Sequence, residues 1–180
     1  MSGMTDGTSA GTSGTEIDGA AGGAAGGATS SPRVLLYSDD RAVREQVRLA
    51  VGPRLRAGAP DIEWIEAATP AAVVDKADNE TWDLLVLDGE ADQTGGMGLC
   101  RQLKNEIYDC PPVLILTGRP EDSWLASWSL ADGVVSRPLD AIKVQEAVAK
   151  LLTVSQAVSQ AVPGDTSGAV SGAVSGAGTA

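Results

Sequence analysis

Four apolar runs of this chain each lead into a polar side chain that could take part in chemistry. These side chains are two acids, a hydroxyl and a cation, namely Asp39, Asp88, Thr117 and Arg137. Carboxylates held close together repel one another and require a counter-charge, and Mg²⁺ is a hard cation that accepts such oxygen ligands. A carboxylate beside that metal could attack an activated phosphoryl group, while the hydroxyl and the cation hold the transferred oxygens. This chemistry requires four distant stretches of chain to meet at one place.

Short apolar runs alternate with helical patterns through the middle of the chain. The runs lie at 33–38, 62–67, 83–88, 112–117 and 133–136. They lack the in–out alternation of half-exposed strands, which predicts strands that are covered on both faces. Five strand–helix units in succession predict an α/β fold with a doubly wound, five-stranded parallel sheet of the flavodoxin type. The carboxyl ends of such strands form the binding edge, where the four polar side chains would meet.

The helical segments carry start signals and apolar stripes. Asp40, Thr69 and Asp140 are each placed to cap the helix that follows. The first helix is expected to bury a stripe of valines, Val43, Val47 and Val51. We expect a further helix from 97 to 107 and a short one that starts at 122 or 123.

Composition excludes several classes of function. The chain has 180 residues, a formal net charge of −11 and no histidine. This acidity argues against nucleic-acid partners and anionic lipid surfaces, and the lack of imidazole excludes catalytic triads and histidine-ligated metals. Cys100 and Cys110 are too few for a disulfide framework, so we expect reduced thiols. No leader and no membrane-spanning run is recognised, so we expect a cytoplasmic protein without direct membrane insertion.

Three segments follow from the distribution of residue types. Residues 1–32 are rich in Gly, Ala, Ser and Thr with little to bury, so we expect a disordered tail. Residues 33–153 hold the fold. Residues 154–180 are expected to extend the last helix and then form a flexible tail of A-V-S-G repeats.

The stretches VLLYSDDRAVREQV, WDLLVLDGEADQTGG, VLILTGR and VSRPLD occur in this order. Together they resemble the CheY-like receiver domain of two-component response regulators. The resemblance implies that Asp88 is the phospho-acceptor and that Asp39, Asp88 and the backbone carbonyl of Glu90 bind Mg²⁺. It also implies that Thr117 and Arg137 contact the phosphate.

Departures from the family pattern bear on this site. Ser38 stands where the family usually has a second acid, which weakens Mg²⁺ binding. Arg137 replaces lysine and could chelate Asp88 through two nitrogens. Val134 stands where an aromatic switch residue is usual. The side chain of Glu90 is left without a role.

Two tryptophans lie one turn apart in the fourth helical segment, Trp124 and Trp128. They could pack on the sheet, or they could remain exposed and anchor a partner protein. In receiver domains the face of the fourth helix, fifth strand and fifth helix commonly engages partners. Trp64 and Trp82 are expected to pack in the core or at a strand edge.

We therefore expect an atypical, stand-alone receiver without an output domain, a regulatory protein-binding module rather than an enzyme. LDGEADQTGGMG and LTGRPEDSWLASW are also similar to actinobacterial orphan receiver-like proteins associated with the type I NADH dehydrogenase. This similarity implies an accessory subunit of the proton-pumping NADH:quinone oxidoreductase, respiratory complex I, held peripherally at the inner face of the plasma membrane. One alternative is a working Mg²⁺-dependent phospho-acceptor at Asp88, supplied by a histidine kinase. A further alternative is a small aspartyl phosphohydrolase.

Overall fold

Strands and helices alternate along the chain as the sequence predicts. The computed structural model describes residues 30–92 and 94–161, so most of the two predicted tails, 1–29 and 162–180, lies outside the described residues. The strands are β1 (Arg33–Tyr37), β2 (Glu63–Ala67), β3 (Leu84–Asp88), β4 (Val113–Thr117) and β5 (Gly133–Ser136). The helices are α1 (Arg41–Val51), α2 (Pro70–Asn79), α3 (Gly95–Glu106), α4 (Ser123–Trp128) and α5 (Ala141–Ala161). A 3₁₀ turn, Pro120–Asp122, precedes α4.

All five strands pair in parallel, in the order β2-β1-β3-β4-β5. The prediction of a five-stranded, doubly wound parallel sheet is confirmed. Strands β3 and β4 are buried along their whole length, because helices cover both faces of the sheet centre. The chain reverses its direction of winding between β1 and β3, and ligands of open α/β sheets bind at such a point. The described residues include no helix that is both long and apolar enough to cross a membrane.

The helix start signals act as predicted. The carboxylate of Asp40 accepts a hydrogen bond from the Ala42 backbone N–H at 2.7 Å, and Thr69 caps α2 in the same manner. Asp140 accepts from two backbone N–H groups in the first turn of α5. Each cap satisfies N–H groups that have no partner inside the helix.

Helices on opposite faces bury two separate apolar layers. Helices α1 and α5 cover one face, where the predicted valine stripe of α1 is buried as expected. Helices α2, α3 and α4 cover the other face. Trp82 is buried here and donates its indole N–H to the Lys76 carbonyl at 3.0 Å, while Trp64 packs at the edge of the first layer. The prediction for these two tryptophans is confirmed.

Helix α3 starts two residues earlier than predicted, because a glycine allows it to approach the end of β3. A Cβ atom at Gly96 would lie 2.5 Å from the backbone oxygen of Asp88. No other residue type permits this contact without a shift of the backbone. The helix ends at Glu106, and Ile107 follows as its C-cap.

Replacing Gly96 by alanine should therefore lower the free energy of unfolding by about 1–3 kcal/mol, because the added methyl group overpacks the junction of β3 and α3. Urea unfolding followed by circular dichroism measures this change. Gly98→Ala is the matched control in the same helix, since its Cβ would meet its nearest neighbour at an ordinary 3.5 Å. Gly98→Ala should leave the free energy of unfolding unchanged or raise it by up to about 1 kcal/mol. Equal effects of the two substitutions would contradict the close approach.

Candidate functional site

The carboxyl ends of the strands enclose a cleft of about 420 Å³. It is lined by Asp39, Asp40, Val43, Asp88, Glu90, Gly118, Arg119 and Arg137. Four residues singled out from the sequence, Asp39, Asp88, Glu90 and Arg137, therefore come together. Their convergence follows from the topology, because β1 and β3 are neighbours and the loops after β4 and β5 close the same edge.

Asp88 is the most buried acid of the cleft, with 2 % of its surface exposed. One carboxylate oxygen accepts a hydrogen bond from the Ser38 hydroxyl at 2.8 Å, and the other accepts from the Glu90 backbone N–H at 3.1 Å. A single nitrogen of Arg137, Nη2, lies 3.1 and 3.0 Å from the two oxygens. A buried carboxylate needs such partners, because an unpaired charge is costly away from water. Both oxygens of Asp88 are thus occupied by groups of the chain itself.

The ion pair of Arg137 and Asp88 differs in geometry from the one considered from the sequence. Two guanidinium nitrogens were expected to chelate the carboxylate, but Nη2 alone bridges both oxygens. The expectation of a two-nitrogen chelate was wrong. The Nε atom of Arg137 is buried and has no hydrogen-bond partner among the described residues, so this N–H group does not bind Asp88.

Ser38 is held between the carboxylate and the first helix. Its buried hydroxyl donates to Asp88 and accepts from the Asp40 backbone N–H at 3.1 Å. Its carbonyl accepts from the Arg44 guanidinium, which also pairs with Glu66 at 2.8 Å. The Arg44 guanidinium and the nearby Arg48 lower the pKa of the Glu66 carboxyl, in spite of its partial burial. The residue that replaces the usual second acid is therefore fixed in place.

Glu90 has a role that the sequence did not reveal. Its carboxylate accepts a hydrogen bond from the Gly118 backbone N–H at 3.1 Å. A Cβ at Gly118 would lie 2.5 Å from the carboxyl carbon of Glu90, so any other residue at this position would displace the Glu90 carboxylate. The expectation that the Glu90 side chain has no role was wrong. It ties the loop after β3 to the end of β4 across the cleft.

The remaining two predicted site residues face different surroundings. Asp39 is exposed at the cleft and accepts from the Asp92 backbone N–H at 2.9 Å. The buried hydroxyl of Thr117 hydrogen-bonds with the Ser136 hydroxyl at 2.9 Å and the Arg119 carbonyl at 3.2 Å. Thr117 does not line the cleft. Its role as a phosphate ligand stays a prediction.

Comparison with known proteins identifies the family. No family model matches this chain. The chain is 49 % identical over 120 residues to an uncharacterised response regulatory protein of Mycobacterium tuberculosis, found in two strains, and the alignment covers 67 % of this chain and 90 % of that protein. This chain belongs to the response-regulator receiver family.

Further relatives and solved structures agree with this assignment. The receiver is 32 % identical over 124 residues to the response regulator protein PmrA of Pseudomonas aeruginosa, where the alignment covers 66 % of this chain and 52 % of PmrA. A receiver domain from Methanospirillum hungatei superimposes with a TM-score of 0.59 at 21 % identity, over 72 % of this chain and 99 % of that one. The receiver domain of a Vibrio parahaemolyticus repressor gives a TM-score of 0.62 at 18 % identity, over 73 % and 97 % of the two chains. These two likenesses concern the fold.

Receiver domains typically bind Mg²⁺, but the donors in this cleft do not fit the ion as they are arranged. Among the described residues, no group of three His, Cys, Asp or Glu residues is placed to hold a metal. Both oxygens of Asp88 face hydrogen-bond donors, one of them the cationic Arg137, and Ser38 supplies no charge. Mg²⁺ would have to displace the guanidinium before it could reach Asp88.

The carboxylates at this edge nevertheless create a negative potential. Tyr37 lies at the end of β1, and its phenol is fully buried with no hydrogen-bond partner among the described residues. Burial raises the pKa of this phenol, and the neighbouring Asp39, Asp88 and Asp92 raise it further. The single cation bound to Asp88 therefore compensates only part of the local charge.

The two tryptophans of α4 are exposed, so the alternative that they pack on the sheet is wrong. Trp124 exposes 66 % and Trp128 exposes 54 % of its surface. The Arg101 guanidinium of α3 lies 4.5 Å from the centre of the Trp128 ring and donates to the Trp128 carbonyl.

Next to Arg101, buried Cys100 donates its thiol to the Ser129 carbonyl at 3.2 Å, and burial raises the pKa of this thiol to about 11. Cys100 is therefore an unreactive packing residue.

Sequence reasoning missed three residues of these sites. Glu90 was considered only for its backbone, and Arg119 and Arg101 were not considered. The contact of Glu90 could have been suspected from Gly118, because a glycine directly after a buried strand allows another chain segment to approach closely. No signal links Arg101 with Trp128, because the two residues belong to different helices.

The Arg137–Asp88 pair can be tested by a double-mutant cycle. Arg137→Gln should lower the free energy of unfolding by about 1–3 kcal/mol, a range discounted for the partly exposed guanidinium, because it leaves a buried carboxylate without its cation. In an Asp88→Asn background the same substitution should cost much less, as measured by urea unfolding. Arg119→Gln, which removes a cation from the same cleft, is the control and should have little effect. An equal cost of Arg137→Gln in both backgrounds would refute the pair.

Proposed function

We propose that this receiver is a protein-binding regulatory module whose Asp88 serves in a fixed ion pair rather than as a phospho-acceptor. The observation that carries the proposal is the occupation of both Asp88 oxygens by Ser38, Arg137 and the Glu90 backbone N–H. A nucleophilic carboxylate needs a free oxygen that points toward the phosphorus atom. In this arrangement phosphorylation would first have to break a partly buried ion pair.

The contact of Glu90 with Gly118 supports the same proposal. A backbone N–H that faces the cleft could stabilise a transferred phosphoryl oxygen, but the Gly118 N–H already donates to the Glu90 carboxylate. The cation of Arg137 is likewise engaged by Asp88. Two donors that an incoming phosphoryl group could use are thus satisfied by acids of the chain, while a third, the Arg119 side chain, also lines the cleft.

The docking surface of this proposal is the face formed by α4, β5 and α5. Trp124 and Trp128 are exposed on α4, and tryptophan dominates the energetics of protein interfaces. An open groove of about 670 Å³, which contains no residue of α4 in its lining, runs along β5, an edge strand, and α5, where Val134 and Lys143 contribute to its lining. The valine at the usual position of the aromatic switch exposes 39 % of its surface. We propose that this face is permanently available to a partner.

We propose respiratory complex I as that partner, with this receiver as a peripheral accessory subunit at the inner face of the plasma membrane. The support is the similarity of LDGEADQTGGMG and LTGRPEDSWLASW to orphan receivers associated with the type I NADH dehydrogenase. The second of these stretches contains α4 with both exposed tryptophans. The chain would act there by docking and without enzymatic activity of its own.

A working phospho-acceptor in a two-component relay is the second candidate. The open cleft beside Asp88 and the exposed carboxylate of Asp39 favour it, and a histidine kinase would be the phosphoryl donor. An aspartyl phosphohydrolase is less well supported, because haloacid-type phosphatases carry the nucleophile on the first strand with a second Asp two residues on, whereas Asp88 ends β3 and Glu90 stands at the second position.

Exposure to a small acyl phosphate and Mg²⁺, followed by intact-mass measurement, separates these candidates. We expect no added phosphate on the natural sequence, because Arg137 and Ser38 occupy the Asp88 oxygens. The variant Ser38→Asp/Glu90→Ala/Arg137→Lys should gain one phosphate, and a further Asp88→Asn change should abolish that gain. Stoichiometric labelling of the natural sequence that Asp88→Asn abolishes would establish the relay instead.

Co-purification from solubilised membranes tests the partner. The tagged receiver should retain NADH:quinone oxidoreductase activity, and Trp124→Ala/Trp128→Ala should lose it because both apolar anchors are removed. Asp88→Asn should retain the activity. Tyr108→Ala is the matched control, since Tyr108 is an aromatic residue that exposes 99 % of its surface after α3. Retention by the double tryptophan variant would exclude the proposed face.

A further inference from the structure

The exposed tryptophans are part of a composite surface that includes a cation. We name this surface the tryptophan patch, formed by Trp124, Trp128, Leu130 and Arg101. The three apolar side chains expose 66 %, 54 % and 48 % of their surfaces. Arg101 belongs to another helix, α3, and its guanidinium lies over the Trp128 ring at 4.5 Å from the ring centre. The patch therefore combines apolar area with a positive charge.

The positive charge of the patch has no acidic partner among the described residues. Most basic residues of this acidic chain form salt bridges, namely Arg33, Arg44, Arg48, Arg54, Lys76, Lys104 and Arg137. Arg101 forms none. Asp132, which follows the patch in the chain, is already bound to Lys104 at 2.7 Å and to the Val113 backbone N–H. The nearby acid is thus engaged elsewhere.

Two contacts hold the Arg101 guanidinium at the patch. It stacks on the indole of Trp128, and its Nη1 atom donates to the Trp128 carbonyl. A guanidinium has five N–H donors, so donors beyond that contact are available to a partner. Because the group is already ordered, a partner carboxylate that binds it would pay little additional side-chain entropy.

We propose that the tryptophan patch recognises an acidic segment of a protein partner, in which a carboxylate pairs with Arg101 and an adjacent apolar side chain covers the indoles. This inference rests on the proposed docking function and adds the chemistry of the partner. Phosphate groups of nucleic acids or anionic lipids could also pair with a guanidinium, but a chain with a net charge of −11 is repelled by such surfaces. A short peptide segment with one or two carboxylates is repelled far less.

Selection from a displayed library of random dodecapeptides tests the proposal on the full chain. Peptides retained by the natural sequence should be enriched in aspartate and glutamate next to leucine or an aromatic residue. Arg101→Gln should remove the acidic preference and weaken the selected peptides about threefold to tenfold, as expected for a lost charge-assisted contact. Arg41→Gln is the matched control, since Arg41 is exposed at the start of α1.

The salt dependence of peptide binding separates a role of the Arg101 charge from a mere displacement of Trp128, because a displaced tryptophan would not change that dependence. Binding of the selected acidic peptides to the natural sequence should weaken with added salt, and Arg101→Gln should flatten this dependence. Arg101→Lys keeps the charge but not the stacking, so it should retain the salt dependence with lower affinity.

The outcomes separate the two proposals. Peptides that depend on Trp124 and Trp128 but show no acidic preference would overturn the role of Arg101 and leave the docking face intact. A library that yields no tryptophan-dependent peptide would overturn both. An acidic preference that persists in Arg101→Gln would assign the charge recognition to another residue and contradict this inference.

Discussion

A carboxylate that folding removes from water must be paired, and Asp88 imposes this requirement on the whole binding edge of the sheet. Its partners come from the ends of three different strands: Ser38 follows β1, the Glu90 backbone follows β3, and Arg137 follows β5. The side chain of Glu90 connects the end of β4 to this group of residues, because it accepts a hydrogen bond from the Gly118 backbone N–H. Four of the five strand ends are therefore connected around one acid, and a change at any of them must be accommodated by the others.

This connection accounts for the distribution of unusual residues in the chain. Ser38, which stands in place of the second acid, donates a hydrogen bond to Asp88. A carboxylate at the same position would repel Asp88. An arginine in place of lysine holds both Asp88 oxygens with one nitrogen. Each change taken alone would weaken a metal and phosphoryl site, and together the two side chains supply hydrogen-bond donors to both oxygens of Asp88. The fold of a signalling domain is thereby combined with a site whose central carboxylate, Asp88, is already paired by the chain itself. We propose that functional contacts then fall to the outer surfaces, where the tryptophan patch lies.

The sequence predicted the architecture because short-range signals govern it. Apolar runs of four to six residues identified every strand, and Asp40, Thr69 and Asp140 identified three helix starts through their capping side chains. The start of α3 was misplaced because it depends on the approach of Gly96 to β3, which is a tertiary contact.

The site was predicted in position but not in detail. Strand order brings Asp39, Asp88 and Arg137 to one edge, and the family pattern indicates that order. The Glu90–Gly118 contact, the inward position of the Thr117 hydroxyl and the stacking of Arg101 on Trp128 all depend on side-chain directions in the folded chain. Spacing along a sequence does not encode such directions between separate elements.

The site depends on one arrangement, in which the protein's own donors occupy the oxygens of Asp88. A Mg²⁺ titration followed by carbon-13 NMR of the Asp88 carboxyl carbon, with nitrogen-15 detection of the Arg137 guanidinium, addresses it most directly. Because these donors hold the carboxylate, both signals should stay constant through millimolar Mg²⁺ in the natural sequence. A saturable shift of the Asp88 carbon, accompanied by release of the Arg137 guanidinium, would contradict it.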